Sequence, residues 1–138
     1  MGLDYRASAM YLLVQFRGQM VRREREGRRK KMVEAIQFFK NCLNGNAPRI
    51  CVENPILHGE AVKGIGKKYA QIIHPWQFGS PEKKATCLWL KGLPCLKPTE
   101  IVEPSRESVF RMPPHKDRGY RRSITRLGIA KAMAEQWG

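Results

Sequence analysis

Residues 50–55 read Ile-Cys-Val-Glu-Asn-Pro, an apolar run that breaks off on a carboxylate, an amide and a proline. Three apolar residues in a row suit a short strand covered on both faces. Glu53 and Asn54 are poor core residues. A buried strand tipped with polar side chains belongs to an α/β arrangement, where ligands bind outside the carboxyl ends of strands. On this reading Glu53 and Asn54 both point at whatever is held there.

The flanking sequence supplies the rest of such a unit. Met32, Ala35, Ile36, Phe39 and Leu43 repeat at threes and fours, which predicts a helix from residue 30 to 43 with one apolar face. Gly45 stops it, and Pro48 introduces the strand. Residues 56–67 read as a loop with about one helical turn. Tyr69, Gln71, Ile72 and Ile73 suggest a second strand and residues 85–90 a third. Gly79 and Pro81 punctuate the turn between them, so the pair is expected as an antiparallel edge hairpin. Residues 91–125, with five prolines and little periodicity, are expected as a long surface loop. Ile129, Met133 and Trp137 place a closing helix at the carboxyl end. The segment before residue 30 reads as loosely helical and basic. The expected division is therefore residues 1–29 and an α/β domain over 30–138.

With 138 residues the chain suits one domain. Its charge narrows the partners. Lys and Arg number 26 against 12 Asp and Glu, a net +14, which favours polyanions. Two basic runs stand out, RREREGRRKK at 22–31 and residues 116–126 with Arg118, Arg121 and Arg122. Each reads either as a solvated surface or as a phosphate-contacting patch. No apolar run is long enough to span a bilayer. Cys42, Cys51, Cys87 and Cys95 lack zinc-knuckle spacing and sit in apolar contexts, so they read as reduced thiols of a cytoplasmic protein. His58, His74 and His115 form no metal pattern, so no metal site is expected. Gly64-Ile-Gly66-Lys67 lacks the spacing of a phosphate loop. In residues 75–94 the aromatic residues Trp76, Phe78 and Trp89 suit a small core. Lys83, Lys84 and Thr86 are then either solvated or turned toward a ligand beside Glu53.

Three blocks, CVENP, IIHPWQFGSPEKKATCLWLKGLP and SITRLGIAKAMAEQWG, resemble the carboxyl-terminal part of a family of small phage-borne proteins similar to the cytosine-carbon-5 DNA methyltransferases. The resemblance covers roughly residues 25–138. It implies a partial Rossmann-like methyltransferase sheet with flanking helices, and a bacterial host cell as location. In that class a Glu-Asn-Val triplet ends a strand, and its Glu binds the Watson–Crick edge of a flipped cytosine. Glu53-Asn54, with Pro55 in place of Val, matches that position, so the resemblance assigns Glu53 and Asn54 to the catalytic site. Gly79-Ser80-Pro81 with Lys83, Lys84 and Thr86 resembles the class's later hairpin block. Thr125, Gly128 and Ala130 correspond to small residues lining the methyl-donor pocket.

The chain departs from the class in two respects. None of the 52 residues before Glu53 forms a Gly-x-Gly turn after a strand, and no Pro-Cys pair precedes Glu53, the one such pair being Pro94-Cys95. The expectation is thus a truncated methyltransferase-like domain that binds DNA through Lys83, Lys84, Thr86, Arg118, Arg121 and Arg122 without catalysing alone. It needs no cofactor by itself, and S-adenosylmethionine only if the missing half is supplied. The alternatives are a non-catalytic nucleic-acid-binding or regulatory module, and a methyltransferase half completed by a partner chain or a second copy.

Overall fold

Side-chain alternation along two apolar strands sets the layers of this protein. The computed structural model describes residues 11–15, 25–105, 113–123 and 125–138. The elements run β1 (Tyr11–Gln15), α1 (Arg25–Leu43), β2 (Arg49–Pro55), α2 (Gly59–Ile65), β3 (Gln71–Ile73), β4 (Thr86–Lys91), α3 (Arg118–Ser123) and α4 (Leu127–Trp137). The sheet order is β1-β2-β4-β3. β1 and β2 are parallel, with Leu13 beside Cys51 and Gln15 beside Glu53. Parallel neighbours need a crossover, and α1 supplies it. β4 lies antiparallel between β2 and β3, pairing Val52 with Trp89 and Ile73 with Thr86. The class is α/β, and the expected antiparallel edge hairpin is present as β3 and β4.

Alternation sends Ile50, Val52, Cys87 and Trp89 to one face of the sheet, where they pack with Phe39 and Leu43 of α1 and Ile65 of α2. Cys51 and Leu88 face the other way and pack with Ile73, Phe78, Leu96 and the α4 residues Ile129, Ala132, Met133 and Trp137. Trp89 is completely buried. Its ring meets Phe39 edge-on at 4.8 Å and Tyr69 at 5.7 Å, contacts that each add about 0.5–1.5 kcal/mol beyond burial. The Trp89 indole N–H donates to the Lys67 carbonyl at 2.7 Å, so the ring's one polar group is satisfied in that core.

Two expectations change. Residues 11–15 form a strand of the main sheet, so they are not helical and do not belong to a separate segment. Contiguous Leu12, Leu13 and Val14 suit a strand beside β2, where β-pairing outweighs a loose helical spacing. Of the segment before residue 30, expected as loosely helical, residues 1–10 and 16–24 lie outside the described residues. The charged run also continues into structure, since α1 begins at Arg25 and carries Gly27 within it.

The long loop is anchored for much of its length. Leu96 is buried, and its backbone is bonded through both N–H and C=O to the Gln71 side chain. Lys97 is bonded in the same double fashion to Gln136. Residues 99–105 run beside the 3-10 turn Pro75–Gln77 and its continuation, with Val102 N–H donating to Trp76 and Gly79 N–H to Glu100. At the far end of the sheet, Arg49 donates to the Trp137 carbonyl at 2.7 Å and the Trp137 indole to Pro94 at 3.0 Å.

The start of α4 is fixed by a close approach. A Cβ at Gly128 would lie 1.9 Å from the Phe78 carbonyl oxygen. Helix propensity alone favours Gly→Ala by about 1 kcal/mol. Here the sign reverses: Gly128→Ala should lower stability by roughly 1–3 kcal/mol through overpacking against backbone, measured as a smaller urea midpoint with an unchanged slope.

Candidate functional site

The carboxyl end of β2 and the amino end of α4 meet at Glu53. Because β2 alternates, Glu53 lies on the α4 face with its β4 partner Leu88, whereas Asn54 lies on the α1 face opposite Cys87. The two side chains therefore do not converge on one ligand. Strand geometry continues through Pro55, and the period of two separates neighbours. The Asn54 amide N–H donates to the Pro55 carbonyl at 2.9 Å, and its Oδ1 is buried without a hydrogen-bond partner.

Glu53 is 8% exposed. It accepts a hydrogen bond from the Thr125 hydroxyl at 3.3 Å, just before α4. Ile73, Pro75 and Ile129 form an apolar lining, and Thr86, Lys84 and Arg126 complete the concavity around Glu53. The space admits a water-sized group and is too small for a nucleobase. Of these lining residues, Arg126 donates to Glu82 in a short ion pair, Nη2 to Oε2 at 2.6 Å. The Thr86 hydroxyl donates to the Lys84 carbonyl at 3.2 Å.

The sequence-predicted residues divide. Glu53, Lys84 and Thr86 come together, although Thr86 is almost fully buried. Lys83 is exposed next to them. Arg118, Arg121 and Arg122 lie on α3, which has at most slight contact with the other helices and strands. The side chains of Arg121 and Arg122 lie outside the described residues. Arg118 is half-buried, and its Nε is buried without a hydrogen-bond partner. Thr125 reaches the site by bonding Glu53, while Gly128 abuts Phe78. Gly128 and Ala130 do not line the concavity. Sequence reasoning missed the Glu82–Arg126 pair. The two residues are 44 positions apart, and no local spacing marks such a contact.

Three of the four thiols are biased toward the protonated form. Burial, reinforced by the Glu53 carboxylate, pushes the Cys51 thiol from 9.0 up to about 12, and burial also raises Cys87 and Cys42. A thiol held protonated does not attack. Cys95 is exposed. Among the described residues no group of three or more His, Cys, Asp or Glu side chains is placed to hold a metal. No described helix is long and apolar enough to cross a membrane.

No family model, curated protein or solved structure matches the chain.

Two measurements follow from the thiols. In the native protein Cys95 should react fastest with a disulfide reagent and Cys51 and Cys87 only on unfolding, counted by released chromophore with and without denaturant. Stability should also be pH-dependent. Unfolded Cys51 ionises near 9.0 and the folded thiol near 12, so the folded state retains a proton that the unfolded chain loses. The contribution is intact below pH 9 and is lost as pH rises toward 12, by up to about 1.4 kcal/mol per unit. Cys51→Ala should flatten that alkaline slope in urea titrations, even though its stability at pH 7 is lower.

Proposed function

We propose that this chain is a DNA-facing, cytosine-reading domain similar to the carboxyl-terminal part of the cytosine-carbon-5 DNA methyltransferases, and that it does not transfer a methyl group alone. The observation that carries the reading is Glu53, a nearly buried carboxyl group at the carboxyl end of β2. It stands between a lysine-bearing hairpin and the first residues of the closing helix. That is the order of parts the resemblance implies: a strand ending in Glu-Asn, then a hairpin, then a helix. The parallel β1-α1-β2 unit beside an antiparallel β4 is consistent with a partial methyltransferase sheet.

Base-directed chemistry requires the base to leave the stack. The concavity at Glu53 is too small to receive one as it stands, so entry has to part the Glu82–Arg126 pair. Arg126, once released, joins Lys83 and Lys84 on the phosphates, contacts that position the duplex without reading sequence. Glu53 then supplies a hydrogen-bonding group at the base edge. No Pro-Cys pair precedes Glu53, the one pair, Pro94-Cys95, does not line the concavity, and burial holds the Cys51 thiol protonated; this supports a role in recognition.

A second reading is favoured by one feature. β1 ends the sheet, and among the described residues no strand pairs with its outer edge. A partner chain carrying the donor site would extend the sheet there. Methyl transfer that appears only on mixing with such a chain would favour this second reading.

The test of the main reading uses duplexes with a fluorescent adenine analogue beside cytosine. Binding should raise the emission as stacking is lost. Glu53→Gln should cut the increase by several-fold with little change in affinity for the phosphate backbone. Glu82→Gln should raise DNA affinity a few-fold by freeing Arg126. An increase that is identical in wild type and Glu53→Gln would exclude the base-reading role. Tight calorimetric binding of S-adenosylmethionine to the chain alone would exclude the donor-less assignment.

A further inference from the structure

A strongly charged flank lies on the face of the sheet opposite Glu53. α2 packs against α1 so tightly that a Cβ at Gly64 would sit 2.5 Å from the Ile36 side chain. α2 ends on Gly66 in the left-handed region at φ 73°, the usual place for glycine, and the chain then turns through Lys67 and Lys68. The Lys67 carbonyl is held by the Trp89 indole, which pins this turn to the core. On α1, Arg29 lies two turns before Ile36 and Lys40 one turn after it, on the same side of the helix. Lys63, Lys67 and Lys68 stand across from them.

Stretches 27–43 and 58–70 contain eight lysines and arginines against two glutamates, Glu34 and Glu60. Arg29, Lys63, Lys67 and Lys68 are exposed and Lys40 is half-buried. None of the five forms an ion pair among the described residues. The charge is thus an uncompensated surplus, fixed on two helices locked together by core packing. Arg29 and Lys40 are separated by roughly 16 Å along the helix axis, a length covering about five base-pair steps of duplex.

We infer that the α1–α2 flank is a second, sequence-independent duplex-contacting surface, separate from the hairpin lysines beside Glu53. It binds the phosphate backbone of double-stranded nucleic acid through Arg29, Lys40, Lys63, Lys67 and Lys68. The inference goes beyond the base-reading proposal and does not depend on it, because these side chains act by charge on the opposite face of the sheet.

The experiment measures affinity for a mixed-sequence duplex across salt concentration by fluorescence anisotropy, using the full chain. The variants are K63Q/K67Q/K68Q, R29Q/K40Q and, on the other face, K83Q/K84Q. Each phosphate neutralised contributes about 0.9 to the slope of log K against log salt. The first variant should reduce the slope by about 2–3 and the second by about 1–2, with unfolding midpoints close to wild type. K83Q/K84Q should reduce it independently, and the losses should add. Unchanged slopes in both α1–α2 variants overturn the inference while leaving the base-reading proposal intact. Reduced slopes there, with fluorescent-base emission indifferent to Glu53→Gln, support the inference and remove that proposal instead. Flotation with phosphatidylserine vesicles is the control. Loss of vesicle binding in these variants with undiminished duplex affinity would make the surface a lipid site and also overturn the inference.

Discussion

The ladder between β2 and β4 is the constraint on which the remaining structure rests. Six residue pairs, from Ile50 with Lys91 to Pro55 with Thr86, place every side chain of two strands on a fixed face. A slip of one residue would move Trp89 and Val52 into the α4 core and Leu88 and Cys51 into the α1 core. Neither core could accept the exchange, because each is built around one large ring: Trp89 on one side, Trp137 on the other. The register also keeps Glu53 and Asn54 apart.

Much of this framework was legible in the sequence because it is written at short range. The period of α1 is visible in Met32, Ala35, Ile36, Phe39 and Leu43, and that of α4 in Ile129, Met133 and Trp137. The hairpin is marked by Gly79 and Pro81. What the sequence hid is nonlocal. β1 is a strand only because β2 accepts it as a parallel neighbour. Gln71 holding Leu96, and Gln136 holding Lys97, turn a proline-rich stretch into ordered chain, and glutamines carry no pattern that announces such partners. At the site, Glu53 was legible from its place at a strand end, and Lys84 and Thr86 from their place on the hairpin. Arg126 had been visible as charge, and its clasp with Glu82 was not.

Glu53 has two duties that pull against one another. As an acceptor for Thr125 it helps fix the approach to α4, and a buried polar group needs that bond. As a recognition group it must offer hydrogen-bonding capacity to something that arrives from solvent. A carboxyl group has two oxygens and several lone pairs, so one bond to the helix need not be its only bond. The Glu82–Arg126 pair adds a further condition, because Arg126 lines the same concavity and parting the pair leaves two opposite charges without each other.

The three tryptophans are distributed in a way that makes the molecule its own reporter. Trp89 is enclosed beneath α1, Trp137 beneath α4, and Trp76 is only partly covered and stacks on His74, ring centres 5.9 Å apart. Each indole thus emits from a different layer. Proteins that retain one of the three would show by emission colour whether the two layers come apart together or in turn, with Trp76 sensing events at the Pro75–Gln77 turn and the other two sensing the interior.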